Sequence, residues 1–164
     1  MRNIVIATGV AVVAITTAGY FSLNNGALRS PRVQAPAAAV VPFSEIAKGT
    51  RSTVDARANY LITSSAELDR LWAMTDAKGK PPAVDFALST VIAAFAGKEP
   101  SGGYGISIRK VEDASVRTVV VALSSPGAGC VSSQVITAPY IIVQVPKTSL
   151  PFAHEYVTTT TACR

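Results

Sequence analysis

The stretch Tyr104-Gly105-Ile106-Ser107-Ile108-Arg109 decides the fold class. Its Tyr and Ile residues alternate with Gly, Ser and Arg, which is the two-residue period of a strand with one buried face. The β-branched segment Val116–Ser124 follows closely and predicts a central strand. Two adjacent segments of this kind indicate a domain built mainly from strands.

Further short strands are predicted on both sides of this pair, at Phe43–Lys48, Ala56–Thr63, Thr90–Ala96, Val135–Thr137, Tyr140–Val145 and Tyr156–Thr161. Ser64-Ser65-Ala66-Glu67 has the spacing of a capping box, and Leu68, Leu71 and Trp72 follow at helical spacing. These features predict one helix from about Ser65 to Thr75. The expected fold is mainly β (α+β), an antiparallel sandwich or small barrel of about seven short strands with one covering helix.

The N-terminal residues form an apolar segment that carries no charge between Ile4 and Phe21. Residues 1–21 are therefore expected to be an uncleaved signal anchor or a cleaved signal peptide, and both alternatives remain open. Residues 22–42 contain three prolines and an alanine run, which predicts a linker. Residues 43–164 are expected to form the β-rich domain, periplasmic or extracellular, anchored by a single transmembrane segment or secreted after cleavage.

The composition excludes several classes of protein. With 49% hydrophobic and 15% charged residues, the chain of 164 residues is not disordered. Its formal net charge of +5 owes much to Arg2, Arg29 and Arg32, which precede the predicted domain. The remaining basic residues are scattered along the chain, whereas a nucleic-acid-binding surface requires a cluster. We therefore expect no nucleic-acid partner.

Two cysteines, Cys130 and Cys163, are present in the chain. Export to an oxidising compartment allows them to pair, and neither has a candidate base nearby in the sequence. The sequence predicts a disulfide that fastens the C-terminal segment to the domain.

The sequence offers little material for catalysis or metal binding. His154 is the only histidine, and Glu155 beside it would point to the opposite side of a strand, so a surface or capping role is favoured. Asp85 follows two prolines and is typical of a turn cap. No nucleophile elbow, phosphate-binding loop or zinc motif is present. We expect no enzymatic activity, no metal and no cofactor.

A partner-binding surface is predicted at three segments rich in glycine, proline and tyrosine. Its candidate residues are Ser101, Gly102, Gly103, Tyr104, Gly127, Gly129, Pro139 and Tyr140. Paired glycines permit a backbone that a partner can approach closely. The alternatives are a tight turn at the glycines, a bulge at the proline and tyrosines that pack in the core. Binding of a small ligand or glycan between Tyr104 and Tyr140 also remains open.

A family resemblance rests on short motifs in a fixed order. These motifs are Leu71-Trp72, Val84-Asp85-Phe86, Val91-Ile92, Gly102-Gly103-Tyr104-x-Ile106-x-Ile108 and Thr137-Ala138-Pro139-Tyr140. Over roughly residues 43–150 the chain resembles the PrcB C-terminal domain family, which takes its name from a subunit of a spirochaete surface protease complex. The resemblance implies an exported, non-catalytic accessory domain that binds a protein, such as an envelope peptidase. It assigns no catalytic residue.

A second similarity concerns the order of the loops. Pro100–Tyr104, Gly127–Gly129 and Ala138–Tyr140 follow one another as do the three loops of chagasin-type inhibitors of cysteine peptidases. In that family the loops lie at one end of an immunoglobulin-like sandwich and enter the cleft of the target. The alternative function is therefore a loop-based peptidase inhibitor.

Overall fold

A computed structural model describes residues 37–163 of the chain. The predicted signal segment, residues 1–21, and most of the predicted linker lie outside the described residues. Within the described range no helix is long and apolar enough to cross a membrane.

The domain consists of two four-stranded sheets and one helix. One sheet, which we call sheet A, has the strand order β1-β5-β6-β8, and sheet B has the order β2-β7-β4-β3. The elements are β1 (Ala39–Val41), β2 (Ser44–Gly49), β3 (Ala58–Ile62), α1 (Ser65–Trp72), β4 (Ser89–Phe95), β5 (Gly105–Asp113), β6 (Arg117–Pro126), β7 (Tyr140–Pro146) and β8 (Phe152–Thr161). This arrangement confirms the mainly β class and the sandwich, and the sheets do not close into a barrel.

Three details differ from the sequence-based expectation. β8 pairs with β6 in parallel, so the sandwich is not wholly antiparallel. β1 lies inside the segment expected to be a linker, because Val40 and Val41 pair with Glu112 and Val111 of β5. Residues 135–137 form no strand, and only Thr137 makes an isolated bridge.

The hydrophobic core has two layers, one on each face of sheet B. Between the sheets, Ile92 and Val143 of sheet B pack with Val121 of sheet A. On the other face, Leu68 and Leu71 of α1 cover Phe95 and neighbouring residues of sheet B. Sheet B is therefore buried on both sides, which explains why β4 is a nearly continuous apolar run without polar alternation.

The helix begins at the predicted capping box. The Glu67 N–H donates to Ser64 Oγ at 3.3 Å, and the Glu67 carboxylate accepts from the Thr63 N–H at 2.8 Å. The hydrogen bonds that the Glu67 carboxylate accepts from the Thr63 N–H and hydroxyl hold the pKa of Glu67 below its usual value. The helix ends at Trp72, earlier than the expected Thr75, and Trp72 is only half-buried.

A buried arginine fixes the end of the sandwich opposite the glycine-rich loops. The Arg117 guanidinium donates to both carboxylate oxygens of Asp113 at 2.6 Å and also to the Pro146 C=O. The Arg117 side chain is 3% exposed, and it lies over the Phe152 ring at 5.8 Å. The hydrogen bonds from Arg117 hold the pKa of Asp113 below its usual value. One side chain thus links β5, β6, β7 and β8.

Candidate protein-binding site at one end of the sandwich

Two long loops meet at one end of the sandwich, which we call the loop end. The first loop, residues 96–104, connects β4 to β5, and the second, residues 127–139, connects β6 to β7. Glu99 and Thr137 join them through reciprocal backbone hydrogen bonds of 2.8 and 3.1 Å. The loops therefore hold each other in place, although neither contains regular secondary structure.

The glycine pair of the first loop is required by the backbone. Gly103 has φ +86°, a conformation that favours glycine, and a Cβ there would lie 3.3 Å from Pro126 Cβ. The Gly102 N–H donates to the Ser133 C=O at 2.9 Å, and Thr137 Oγ1 donates to the Ser101 C=O at 3.0 Å. The predicted segments Ser101–Tyr104 and Gly127–Gly129 thus lie at the same end of the molecule, and the glycines serve the tight turn that was the alternative interpretation.

The second loop is fastened to the C-terminal strand. A disulfide joins Cys130 to Cys163, which confirms the pairing expected from the sequence. The Gly127 N–H donates to the Thr161 C=O at 2.9 Å, and the Cys130 N–H donates to the Gly127 C=O at 3.1 Å. The first residues of the loop and the C-terminal end of β8 therefore form one covalently fixed unit.

Three apolar side chains of this second loop point into solvent. Val131 is fully exposed, and Val135 and Ile136 are 50% and 65% exposed. Exposed branched aliphatic residues on a fixed loop are typical of a protein-binding surface. The sequence-based prediction missed them as site residues because Val135-Ile136-Thr137 was taken for a strand. The signal that would have revealed them is the Cys-x-Ser-Ser context, which favours a loop.

Pro139 and Tyr140 do not belong to this surface, which corrects the prediction. Tyr140 is the first residue of β7 and is 1% exposed, with its ring stacked on Phe95 at 6.0 Å between centroids. Burial raises the pKa of the Tyr140 hydroxyl. Gly49 makes room for the ring, since a Cβ there would lie 2.5 Å from Tyr140 Cε1. Because Tyr140 is buried, Ala138–Tyr140 cannot act as the third loop of a chagasin-type inhibitor. For the same reason Tyr140 cannot join Tyr104 in stacking on a glycan.

Tyr104 lines a polar depression beside the loop end. The depression has a volume of about 230 Å³ and includes Arg57, Glu99 and Thr158 in its wall. The Arg57 guanidinium lies over the ring of Tyr156 at 4.9 Å from its centroid. The depression presents hydroxyls, one guanidinium and one carboxylate, which suit hydrogen bonds with polar side chains of a partner at the rim of an interface.

The other candidate residues lie apart from the loop end or play structural roles. His154 is exposed on β8, as expected for a surface histidine, and partial burial lowers its pKa. The Asp85 carboxylate accepts from the Ala87 N–H at 2.9 Å, which confirms the turn cap. Among residues 37–163 no group of His, Cys, Asp and Glu is arranged to hold a metal ion.

The fold and the loop end define a small β-sandwich that presents two fastened loops at one end. Residues 90–146 match the model of the PrcB C-terminal family, which confirms the resemblance drawn from the sequence. The matched region begins in β4, ends in β7 and contains both loops of the loop end. Searches of curated proteins and of solved structures gave no match.

Proposed function

We propose that this domain is a non-catalytic accessory module that binds a protein partner through the loop end and assists a protease complex at the cell envelope. The observation that carries the proposal is the exposure of Val131, Val135 and Ile136 on a loop that is fixed in place. The family match supports the kind of partner, because the family is named for a protease-complex subunit and the matched residues include this loop.

The fastened state of the loop favours binding. Ordering a flexible loop costs free energy at the moment of association, and this cost weakens the complex. In this domain the disulfide and the Glu99–Thr137 hydrogen bonds order the loop beforehand. The apolar side chains then contribute their burial to affinity, while the depression at Tyr104 supplies polar contacts at the rim.

Export belongs to the same proposal. A structural disulfide is stable in oxidising compartments such as the periplasm, and the apolar segment of residues 4–21 would direct the chain there. The domain would then stand outside the cytoplasmic membrane, held by that segment or released after its cleavage.

Site-specific photo-crosslinking in the native cell tests the proposal. A photoreactive amino acid replaces Ile136 in the full chain, and the matched control replaces Leu88, which is 71% exposed and precedes β4 at the other end of the sandwich. We expect crosslinks from position 136, and not from position 88, to a peptidase or to a subunit of a peptidase complex. Equal crosslinking from both positions would count against the loop end.

A pair of charge substitutions provides the functional test. Ile136→Glu should weaken partner binding by about tenfold or more, because a carboxylate then has to be desolvated in the interface. Leu88→Glu should leave binding unchanged. If purified domain lowers the peptidase activity of the complex that it binds, the inhibitor function replaces the accessory function.

A further inference from the structure

The four sheet edges of the described domain differ in how they are protected. β1 has three residues and β3 has five, so both edges are short. β2 has a register shift between Glu45 and Ala47, which disturbs its edge. β8 extends over ten residues in unshifted register with β6, and it contains no lysine, proline or bulge. Long, regular edges without lysine, proline or a bulge are the ones that pair with another strand.

Two hydrogen bonds at the ends of the β6–β8 ladder show which residues of β8 direct their backbone N–H and C=O groups away from the sheet. The Arg117 N–H donates to the Pro151 C=O at 2.8 Å, and the Gly127 N–H donates to the Thr161 C=O at 2.9 Å. In a parallel ladder of unshifted register, these bonds turn the odd-numbered residues of β8 toward β6. The even-numbered residues direct their N–H and C=O groups away from the sheet. These residues are His154, Tyr156, Thr158 and Thr160.

On the side where β8 faces β3, Asn59 Nδ2 donates to the Tyr156 hydroxyl, but apolar side chains beside this contact remain partly exposed. Tyr156 pairs with Val121, a core residue of sheet A, yet it is 36% exposed. Leu61 pairs with Ile92, a core residue of sheet B, yet it is 44% exposed. On the opposite side, at β1, Val41 is 7% exposed. Apolar area on the inner faces of both sheets thus remains partly uncovered beside β8 and β3.

A second copy of β8 meets the requirements of this edge. Antiparallel strands exchange hydrogen bonds between directly opposed residues, so even-numbered residues have to face even-numbered residues. A two-fold axis at Val157 pairs Tyr156 with Thr158. Glu155, the only acidic residue of β8, then lies opposite Thr159, so no like charges meet. The disulfide at Cys163 fixes the end of β8 in advance, which lowers the cost of pairing.

We propose that two copies of the chain associate through their β8 strands, which pair antiparallel about a two-fold axis and join the two A sheets into one sheet of eight strands. The inner faces beside β8 would then continue from one copy to the other. Thr158 borders both this edge and the depression at Tyr104, but the dimer is argued from the β8 edge alone and does not use Val131, Val135 or Ile136, so it does not depend on the proposed binding function.

Sedimentation analysis of the full chain in neutral detergent tests the proposal. Thr158→Pro removes an outward N–H that the domain itself does not use, and proline is tolerated at such edge positions. We expect a dimer for the unchanged chain and a Kd at least about tenfold higher for Thr158→Pro, since hydrogen bonds across the axis are lost. A monomer, or a dimer whose Kd Thr158→Pro leaves unchanged, would overturn the proposal.

Two opposite charges at Thr159 test the register. Thr159 is exposed and opposes the uncharged Ser124 inside the domain, so both substitutions affect the monomer alike. Across the axis each new charge would face Glu155 of the other copy. Thr159→Lys should therefore bind at least about tenfold tighter than Thr159→Glu. Equal Kd values for the two variants would exclude the axis at Val157, and circular dichroism checks that every variant is folded.

Discussion

Gly103 and Gly129 both have positive φ angles, of 86° and 81°, but their surroundings differ. A Cβ at Gly103 would lie 3.2 Å from Ser132 Oγ and 3.3 Å from Pro126 Cβ, whereas a Cβ at Gly129 would meet nothing within 4 Å. Gly103 thus carries steric crowding in addition to backbone strain. A substitution at Gly103 therefore disturbs folding and binding together and does not measure the binding contribution of the loop.

Alanine substitutions at these two glycines separate strain from crowding. Gly129→Ala should lower the free energy of unfolding by about 1 kcal/mol, because only the left-handed backbone is penalised. Gly103→Ala should lower it by about 2 kcal/mol, because Pro126 and Ser132 have to move as well. Urea denaturation of both variants measures the difference. Equal losses would show that the loop relaxes around the added methyl group.

At the scale of single residues, the sequence predicts caps and the disulfide better than it predicts which side chains are exposed. The capping residue Ser64, the turn cap Asp85 and the disulfide cysteines follow from local patterns, and the structure confirms them. Tyr140 illustrates the opposite case. Its burial depends on Gly49 and Phe95, which are distant in sequence, so no local pattern separates it from a surface tyrosine.

Among the elements, long apolar strands are the easiest to predict. β4 to β7 carry enough apolar or β-branched residues to mark their positions within a few residues. β1 escaped prediction because three residues have no period of their own, and pairing with β5 alone makes them a strand. The sequence also could not predict that β8 pairs in parallel with β6, since an exposed threonine-rich strand carries no signal for the direction of its neighbour.

The disulfide stabilises both the 127–139 loop and the C-terminal end of β8. Replacing Cys130 and Cys163 together by serine should lower the free energy of unfolding by about 3–4 kcal/mol, because the unfolded chain loses a cross-link over a separation of 33 residues. Guanidinium denaturation measures this loss. Hydrogen exchange should also rise more at Gly127 than at Arg117, which lies at the far end of the same ladder. A uniform increase along the ladder would contradict a local fastening role.

At the scale of the whole molecule, the two sheets differ in what covers them. Sheet B has α1 on one face and sheet A on the other, whereas the outer face of sheet A carries no helix among residues 37–163. The Arg117–Asp113 pair lies at the end of the sandwich opposite the binding loops, whereas the C-terminal end of β8 is joined to the 127–139 loop and Thr158 borders the depression at Tyr104. Association through β8 does not use Val131, Val135 or Ile136, so these side chains would remain available to a partner in each copy.

His154 and Asp113 both contribute to the pH dependence of global stability. Partial burial lowers the pKa of His154, so the unfolded state binds its proton more readily. The contribution of neutral His154 is present above its usual pKa of about 6.5 and is lost as the pH falls below that value. Hydrogen bonds from Arg117 lower the pKa of Asp113, whose contribution is present above its usual pKa and is lost as the pH falls through the folded value. Both groups therefore lower the free energy of unfolding as the pH falls.

The free energy of unfolding should therefore fall in two steps on acidification, the first below about pH 6.5 and the second below about pH 4. His154→Gln should remove the first step and keep the second. Asp113→Asn should reduce the second step, to which Glu67 also contributes, and lower stability at neutral pH by about 3 kcal/mol, because it leaves the buried Arg117 guanidinium without its counter-charge. Urea denaturation of the three proteins from pH 3 to pH 8 measures both steps. An Asp113→Asn profile parallel to that of the unchanged protein would show that the Asp113–Arg117 pair is not the source of acid sensitivity.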